Sequence, residues 1–434
     1  MEQSLIAAVS GIAADQAYLD VVGNNVANSN TTAYKSESAQ FTDLLAQQVA
    51  GASAPVPGGQ GAGINPLAIG SGVRVGAVSL NESQGAIQTT NVPTDVAIQG
   101  SGFLVTQQYG QTMYTRDGSL TLDANGNLGT QTGGLVQGWA ANAQGVINTN
   151  APTGAISVPT GTTMPASATT EMTLGGNLPA WSGTGTATPI TTTINAYDSL
   201  GNVIPVSLTF TPVAGSANKW TVQGTVPNAS GTPTNLWTTA PTISFGASTG
   251  QISSVTGATT NADGSLSLPV QTMPSNYAFP TGDTWNINFP NPTGAGAVTQ
   301  YSGQQSLSVT SADGAPSGSL AGFSIGSDGV ITGSFSNGKT LAIGQIALAQ
   351  FSNPGGLSPQ GNLNYIQSPN SGQPAVGVPG TNGSGTLIGG ALEGSNVNLS
   401  SQLTDLIVAQ EAYQANTKVV STTAMNLTAL AQMA

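Results

Sequence analysis

Leu399-Ser400-Ser401-Gln402-Leu403-Thr404-Asp405-Leu406-Ile407-Val408-Ala409-Gln410-Glu411-Ala412-Tyr413 opens a C-terminal segment in which Leu399, Leu403, Leu406, Tyr413, Val420, Ala424 and Leu427 recur at alternating intervals of four and three. Gln410 and Thr417 stand at the two gaps. That spacing predicts an amphipathic helix running to about Met433, on the order of 50 Å at 1.5 Å per residue. Ser400 or Asn398 is placed to cap its start. The N-terminus repeats the pattern. Leu5, Val9, Ile12, Leu19 and Val26 share one seam, with Gln16 and Gly23 between them, and predict a helix over 3–27. Neither helix buries its stripe alone. Each packs on its own domain, or the two ends pair with each other and with neighbouring copies as a coiled coil. Both helices are acidic and Lys418 is their only cation, so apolar contacts and Gln, Asn and Ser hydrogen bonds must supply the cohesion.

Between the helices the pattern is β. Val73-Arg74-Val75, Ala77-Val78-Ser79-Leu80, Asp95-Val96-Ala97-Ile98 and Phe103-Leu104-Val105 alternate. Turn signals recur at Asp117-Gly118, Asn125-Gly126, Asp263-Gly264, Asp313-Gly314, Asp328-Gly329 and Asn337-Gly338. Stretches rich in Gly, Pro, Ser or Asn at 51–63 and 368–385 read as loose connections. The expected class is therefore mainly β with α-helical termini, in a nested multidomain order. Residues 1–30 and 395–434 form a terminal helical coiled-coil domain, and 31–70 and 385–394 are linkers. Residues 71–148 and 311–384 form a discontinuous β-rich middle domain, and 149–310 an inserted β-rich outer domain. Trp220, Trp237, Trp285, Phe210, Phe245 and Phe289 are the aromatic residues expected to seed the core of that insert.

Composition narrows function. The 434 residues carry 6 Lys+Arg against 18 Asp+Glu, a net charge of −12. Phosphate binding needs clustered cations, so nucleic acid is excluded as a default partner, and an anionic membrane surface is disfavoured. The absence of His removes His-dependent triads and His-ligated zinc. The absence of Cys removes disulfides, thiol catalysis and iron–sulfur clusters. With 58 Gly and 25 Pro, the chain stays below the ~25–30% share typical of low-complexity disorder. No basic residue precedes the short apolar stretch Leu5–Val9, so no cleaved signal peptide is expected. Nothing is read as approaching a membrane span, and membrane insertion is not expected.

Catalytic lookalikes fail on context. Gly333-Ser334-Phe335-Ser336-Asn337-Gly338-Lys339-Thr340 matches a phosphate-binding loop by letter, but Leu341–Phe351 reads as a strand where a helix is required. Gly322-Phe323-Ser324-Ile325-Gly326 matches a nucleophile elbow without any His to serve Ser324. Asp123-Ala124-Asn125-Gly126-Asn127 lacks the sixth-position glycine and the closing acid of a calcium loop, with Leu128 and Gly134 in those places. Six Asn-x-Ser/Thr sites, Asn81-Glu82-Ser83 among them, are unremarkable in a chain this rich in those residues. The scattered carboxylates nominate no glycosidase pair. No catalytic residue, cofactor or metal is expected, and the chain reads as no enzyme.

The ends carry more specific signals. Asn24-Asn25-Val26-Ala27-Asn28-Ser29-Asn30-Thr31-Thr32-Ala33-Tyr34-Lys35 resembles the N-terminal signature of the bacterial flagellar axial proteins, the rod and hook family. Asn24, Asn25, Ala27, Asn28, Thr32, Tyr34 and Lys35 match, and Ala33 stands where that family usually has Gly. Gln84-Gly85, the stretch Asp95 to Phe103, Tyr114-Thr115-Arg116-Asp117-Gly118-Ser119-Leu120, Gly344 to Ala349, Phe351 to Leu357, and Gly390 to Leu399 leading into Ile407 to Asn416 resemble the family in the same order. About half of the chain is covered. The distal rod members resemble both ends but lack a large insert. Ile194-Asn195-Ala196-Tyr197-Asp198-Ser199-Leu200-Gly201-Asn202 resembles the opening of the insert in the hook branch.

The resemblance implies an exported, extracellular flagellar subunit that polymerises with copies of itself. The polymer would be a curved, flexible tube around an export channel, transmitting torque as a universal joint. It implies the distal rod protein, the hook cap, the hook–filament junction proteins and the flagellar type III export apparatus as partners. The assembly residues would be the two seams, Leu5, Val9, Ile12, Leu19, Val26, Leu399, Leu403, Leu406, Tyr413, Val420 and Leu427. A distal-rod-like axial protein is the alternative within the family, and an extracellular fibre or adhesin the alternative outside it.

Overall fold

The N-terminal apolar periodicity forms helix α1 (Glu2–Ala27), and the C-terminal one forms α2 (Leu399–Met433). Asn398 begins α2. Its side-chain oxygen accepts from the Ser401 amide at 3.2 Å and its carbonyl from the Gln402 amide at 3.0 Å, filling the N-cap role. At the end of α1, the Asn28 amide and side chain both donate to the Asn24 carbonyl, at 3.1 and 3.0 Å. The Asn28 side chain thus gives the last turn of α1 a second donor, and the Asn398 side chain gives the first turn of α2 an acceptor. The structure, a computed structural model, describes residues 2–52, 54, 63–158, 161, 163–186, 188–272, 277 and 285–433.

Two units divide the chain. The first comprises Met1–Thr160, Phe323–Gly333 and Leu341–Ala434, and the second Gly161–Gly322 and Ser334–Thr340. In the first unit the hairpin Phe103–Gln108/Gln111–Thr115 is central. Its first strand also pairs antiparallel with Leu135–Ala140 and with Leu348–Gln350. Phe103, Tyr114 and Phe351 meet edge to face, with centroids 4.8 and 6.0 Å apart. This is the favoured geometry for aromatic quadrupoles, and Val105, Ala349 and Leu357 complete the cluster.

Segments 31–70 and 385–394, expected as linkers, carry strands instead. Glu37–Asp43 pairs antiparallel with Val73–Leu80, and Gln47–Ala50 with Leu67–Ile69. Thr386–Gly389 pairs with Val96–Gln99, and Ala391–Glu393 with Ile87–Thr89. Apart from the seven-residue Glu37–Asp43, the strands in these segments have three or four residues, too few alternating positions for a period of two to show. Of the stretch 51–63, positions 53 and 55–62 lie outside the described residues. The stretch 368–385 contains the strand Ala375–Gly377 and a Ser368–Ser371 turn held by hydroxyl hydrogen bonds.

The second unit has two sheets sharing one core. One runs Ile190–Tyr197, Val203–Pro212, Lys219–Pro227, Thr242–Phe245, Ile252–Val255. The other places Glu171–Pro179 beside Asn286–Phe289, Val298–Tyr301 and Ser308–Ala312. Strict alternation along Val203–Pro212 sends Ile204, Val206, Leu208 and Phe210 inward. There they join Trp220, Trp237, Trp285, Phe245 and Phe289. The Trp237 indole donates to the Pro269 carbonyl at 2.8 Å, so this buried ring brings no orphan donor.

The turn after α1 contains the one local strain in the N-terminal signature. Ala33 has φ 56° and is buried, with its amide donating to the Glu393 carbonyl at 2.7 Å. An L-residue in the left-handed region costs roughly 1–2 kcal/mol, which explains why glycine suits the position. Ala33→Gly is expected to leave stability unchanged or raise it by up to about 1 kcal/mol, the relief being partly offset by the greater unfolded-state freedom of Gly. Ala33→Val should lower it by more than about 1 kcal/mol, since β-branching crowds that conformation further. Chemical denaturation midpoints of the two variants check the sign.

Candidate functional site

The two ends of the chain meet along an antiparallel helix pair. Asn25 on α1 donates to the Gln402 side chain on α2 at 2.9 Å, and Asn416 donates to Asp15 at 2.8 Å. The residues that close this pair are not the expected apolar ones. On α1 the buried line is Ala8, Gly11, Ala14, Val22 and Asn25. Leu5, Ile12, Leu19 and Val26 are only half-buried, and Val9 is 53% exposed. On α2 the inward line combines Gln402, Ala409, Asn416 and Thr423 with Leu406, Tyr413 and Val420. The expected Leu399, Leu403 and Leu427 are exposed.

Of the expected seam residues, Leu406, Tyr413 and Val420 lie on the contact face of α2, while Val9, Leu399, Leu403 and Leu427 are exposed. The physical reason is side-chain size. A Cβ on Gly11 would stand 2.7 Å from Asn416 Nδ2, so the helices approach closely only where α1 is small. Larger apolar side chains are left on the flanks. Ile6, Val9, Leu399, Leu403, Ile407, Val408, Val419, Met425, Leu427 and Leu430 all remain exposed. By length and composition alone Gln3–Ala27 is also apolar enough to cross a membrane, against expectation. Asp15 faces Asn416 within it.

The N-terminal signature explains how the pair is fixed to the β structure. Asn25 is 1% exposed and fully used. Its Oδ1 accepts from the Glu37 amide at 2.9 Å and the Tyr34 hydroxyl at 3.1 Å, and its Nδ2 donates to the Glu37 carbonyl at 2.7 Å and to Gln402. One carboxamide therefore ties α1, the following strand and α2 together, which only Asn or Gln can do with two donors and two acceptor sites. Burial, with the Glu37 carboxylate and Tyr365 adding to it, pushes the Tyr34 phenol up to about 12. Thr32 donates to Asp117 at 3.4 Å, and Asn28 accepts from Thr31 at 3.1 Å. Asn24 and Ala27 lie exposed on the helix surface, although the Asn24 side chain accepts from Asn28 at 2.9 Å.

Beneath this junction sits a charged cluster that the sequence reading missed. Glu393, its side chain fully buried, receives Lys35 at 2.6 Å and Arg116 at 3.4 Å. The Gly85 amide adds a third donor at 2.8 Å. Lys35 also donates to the Ser83 carbonyl at 2.8 Å. Arg116 donates to the carbonyls of Gly102, at 3.1 Å, and Gly100, and lies 5.6 Å from the Phe103 ring centroid. Burial pulls the Lys35 ammonium below the usual lysine range, against the opposing hydrogen bond to Glu393. Burial likewise pushes the nearby Glu82 carboxyl up, opposed by Arg116 and Lys35. The cluster joins three pieces of chain: the exit from α1, the hairpin after 115 and the approach to α2. Its chemistry is cohesive, since every charge is met by a charge or a carbonyl.

The catalytic lookalikes resolve into turns and strands. Phe335 and Lys339 close a hairpin, the Phe335 amide donating to the Lys339 carbonyl at 2.9 Å, with Gly338 at φ 76°. A strand, Thr340–Ile346, follows it where a phosphate loop requires a helix. Ser324 lies in the strand Gly318–Ile325. Asp123 accepts from the amides of Asn125 and Asn127 and from the Asn127 side chain, all at 2.8 Å. Asp198 repeats this with Leu200 and Asn202, at 3.0, 2.8 and 2.9 Å. Both are self-satisfied Asx turns.

Four family models match in chain order. "Flagella basal body rod protein" covers residues 5–35 and "Flagellar hook protein FlgE/F/G D1 domain" covers 97–175. "Flagellar basal body protein FlaE D2 domain" covers 180–315 and "Flagellar basal body rod FlgEFG protein C-terminal" covers 388–433. The chain is 35% identical over 454 residues to the flagellar hook protein FlgE of Treponema pallidum, covering 97% of both chains. It is 32% identical over 432 residues to that of Escherichia coli, covering 96% of both. The crystal structure of Helicobacter pylori flagellar hook protein FlgE2 aligns at TM-score 0.48 and 14% identity, over 69% of this chain and 98% of that one.

Proposed function

The chain belongs to the flagellar hook protein family, and from that membership we propose that it is the repeating subunit of a hook. It polymerises with copies of itself into a curved, flexible tube that carries torque and encloses a channel. One observation supports this above the others: small and polar residues hold much of the intrachain helix pair, while many large apolar side chains of both helices, Ile6, Val9, Leu399, Leu403, Ile407 and Leu427 among them, stay exposed. An apolar stripe left uncovered in a single copy is a surface for its neighbours. In the polymer, the exposed seam residues Val9, Leu399, Leu403 and Leu427 then act between copies, the half-buried Leu5, Ile12, Leu19 and Val26 add to that contact, and Leu406, Tyr413 and Val420 also serve the helix pair within a copy.

A joint that bends as it turns must exchange contacts cheaply. Six cations per chain allow few ion pairs, and two of them are spent internally on Glu393. Outer surfaces of Ser, Thr, Asn and Gln exchange hydrogen bonds netting only about 1 kcal/mol each, replaceable by water. The family is a structural one, and we propose no catalytic activity, cofactor or metal for this member. Its further partners would be the distal rod protein, the hook cap, the hook–filament junction proteins and the flagellar export apparatus, and its location extracellular. Electron microscopy of concentrated purified protein should show curved tubes of constant diameter. Straight tubes would favour a distal-rod-like subunit, and non-tubular fibres or monomers at all concentrations would overturn the reading.

A further inference from the structure

The sequence has three Asn-Gly pairs, Asn125-Gly126, Asn337-Gly338 and Asn382-Gly383. In such a pair the glycine puts no Cβ beside its own backbone nitrogen. That nitrogen can reach the carboxamide carbon of the preceding asparagine, provided the linking peptide is free to turn and the amide proton is free to leave. The fold treats the three pairs differently.

Two of them are held. Gly126 is buried, its amide donating to the Asp123 carbonyl at 3.0 Å and its carbonyl accepting from the Val158 amide at 2.7 Å. The Asn125 amide donates to the Asp123 carboxylate at 2.8 Å. The Gly338 amide donates to the Phe335 carbonyl at 2.9 Å. The Asn337 carboxamide is engaged at both ends, accepting from the Lys339 amide at 3.1 Å and donating to the Pro316 carbonyl at 2.8 Å. In both pairs the attacking nitrogen is already a hydrogen-bond donor, and in the second the target carboxamide is pinned as well.

Asn382-Gly383 is different. Both residues are exposed, with φ 53° and 80°, the type I′ turn that Asn-Gly favours. The stem of the turn is fixed: the Ser384 amide and hydroxyl donate to the Thr381 carbonyl at 2.9 and 2.7 Å, and the Gly385 amide donates to the Ser101 carbonyl at 2.6 Å. At the tip, among the described residues, the Asn382 carboxamide makes no hydrogen bond, and neither does the carbonyl or the amide of the Asn382–Gly383 peptide. That peptide turns without breaking a contact.

We propose that Asn382 is a site of spontaneous deamidation, and that the fold confines the reaction to this one of the three pairs. The Gly383 nitrogen gives its proton to solvent base and bonds to Asn382 Cγ. The Cγ–Nδ2 bond breaks, and the side-chain nitrogen takes a proton from water and leaves as ammonia. The succinimide so formed opens by adding one water at either carbonyl, giving aspartate or isoaspartate, with no oxidant or reductant involved. Each conversion adds a negative charge to a chain that already carries −12. The isoaspartate form also routes the backbone through the side-chain methylene, so the two-residue turn no longer fits and its closure between Thr381 and Ser384 opens. The converted fraction records the time since the chain folded. The inference stands independently of the hook reading.

The folded full-length chain, aged at mildly alkaline pH, digested and analysed by mass spectrometry that separates the isomers, provides the test. Conversion at Asn382 should run about tenfold or more faster than at Asn125 or Asn337, since each of those must first break at least one hydrogen bond. The same chain held unfolded in urea should lose that ranking. Asn382→Gln should remove the signal, because the longer side chain closes its ring far more slowly. Folded-chain conversion at Asn125 or Asn337 as fast as at Asn382 would overturn the proposal. So would an Asn382 that stays intact in the folded chain, or a ranking that persists in urea, which would assign it to local sequence and not to the fold.

Discussion

Glu393→Ala should lower the stability of the first unit by about 3–5 kcal/mol, the range for breaking a buried ion pair from one side. Lys35 and Arg116 are both buried, and they would face each other with their shared counter-charge gone. The Gly85 amide would lose its acceptor as well. Set against the 5–15 kcal/mol that holds a typical domain together, this is a large fraction. Lys35→Met in the same background should recover part of the loss, because removing one uncompensated charge relieves the other. Urea denaturation of the single and double variants provides the test. A Glu393→Ala effect below 1 kcal/mol would mean that water reaches the cluster and that it is no internal brace.

Replacing Leu403 and Ile407 together by Ser should raise the critical concentration for polymerisation by about two to four orders of magnitude. Each apolar side chain buried against a neighbour contributes roughly 1.5–3 kcal/mol, and each 1.4 kcal/mol is a factor of ten. Both residues are exposed in the single chain, Leu403 at 45% and Ile407 at 60%. Monomer stability should therefore move by no more than about 0.5 kcal/mol. Light scattering during assembly and circular dichroism of the monomer separate the two effects. Unchanged assembly would show that this flank of α2 faces solvent in the tube, and a molten monomer would show that it packs internally.

Both helices and their approximate ends were legible from sequence, because long apolar periodicity is a strong local signal. So were the core aromatics of the second unit, Trp220, Trp237, Trp285, Phe210, Phe245 and Phe289, which all join one buried cluster. The face of each helix that closes the intrachain pair was not. Reading a stripe as a seam assumes that the largest apolar residues are buried first and nearby. Here Asn25, Gln402 and Asn416, which stand outside the apolar repeat, make the contact, and Leu399, Leu403 and Leu427 are left exposed. The Glu393 cluster left no local trace either. A lone Glu in a Gly-rich stretch cannot be matched by spacing to cations 277 and 358 residues away. The available hint was that Lys35, Arg116 and Glu393 each fall within a stretch resembling the same family, and that two of them are cations in a chain with few.

The pairing of Lys35 with Glu393 also sets a schedule. At ribosomal rates of roughly 5–20 residues per second, Glu393 is made about 20–70 s after Lys35. Ala33, Lys35, Ser36 and Asn25 all find partners between Glu393 and Gln402. Contacts so distant along the chain close late and slowly, since the whole intervening loop must be ordered or spanned first. The second unit needs only its own residues and is free to settle during that interval. The first-made residues cannot, so the last tenth of the chain decides when the first tenth stops searching.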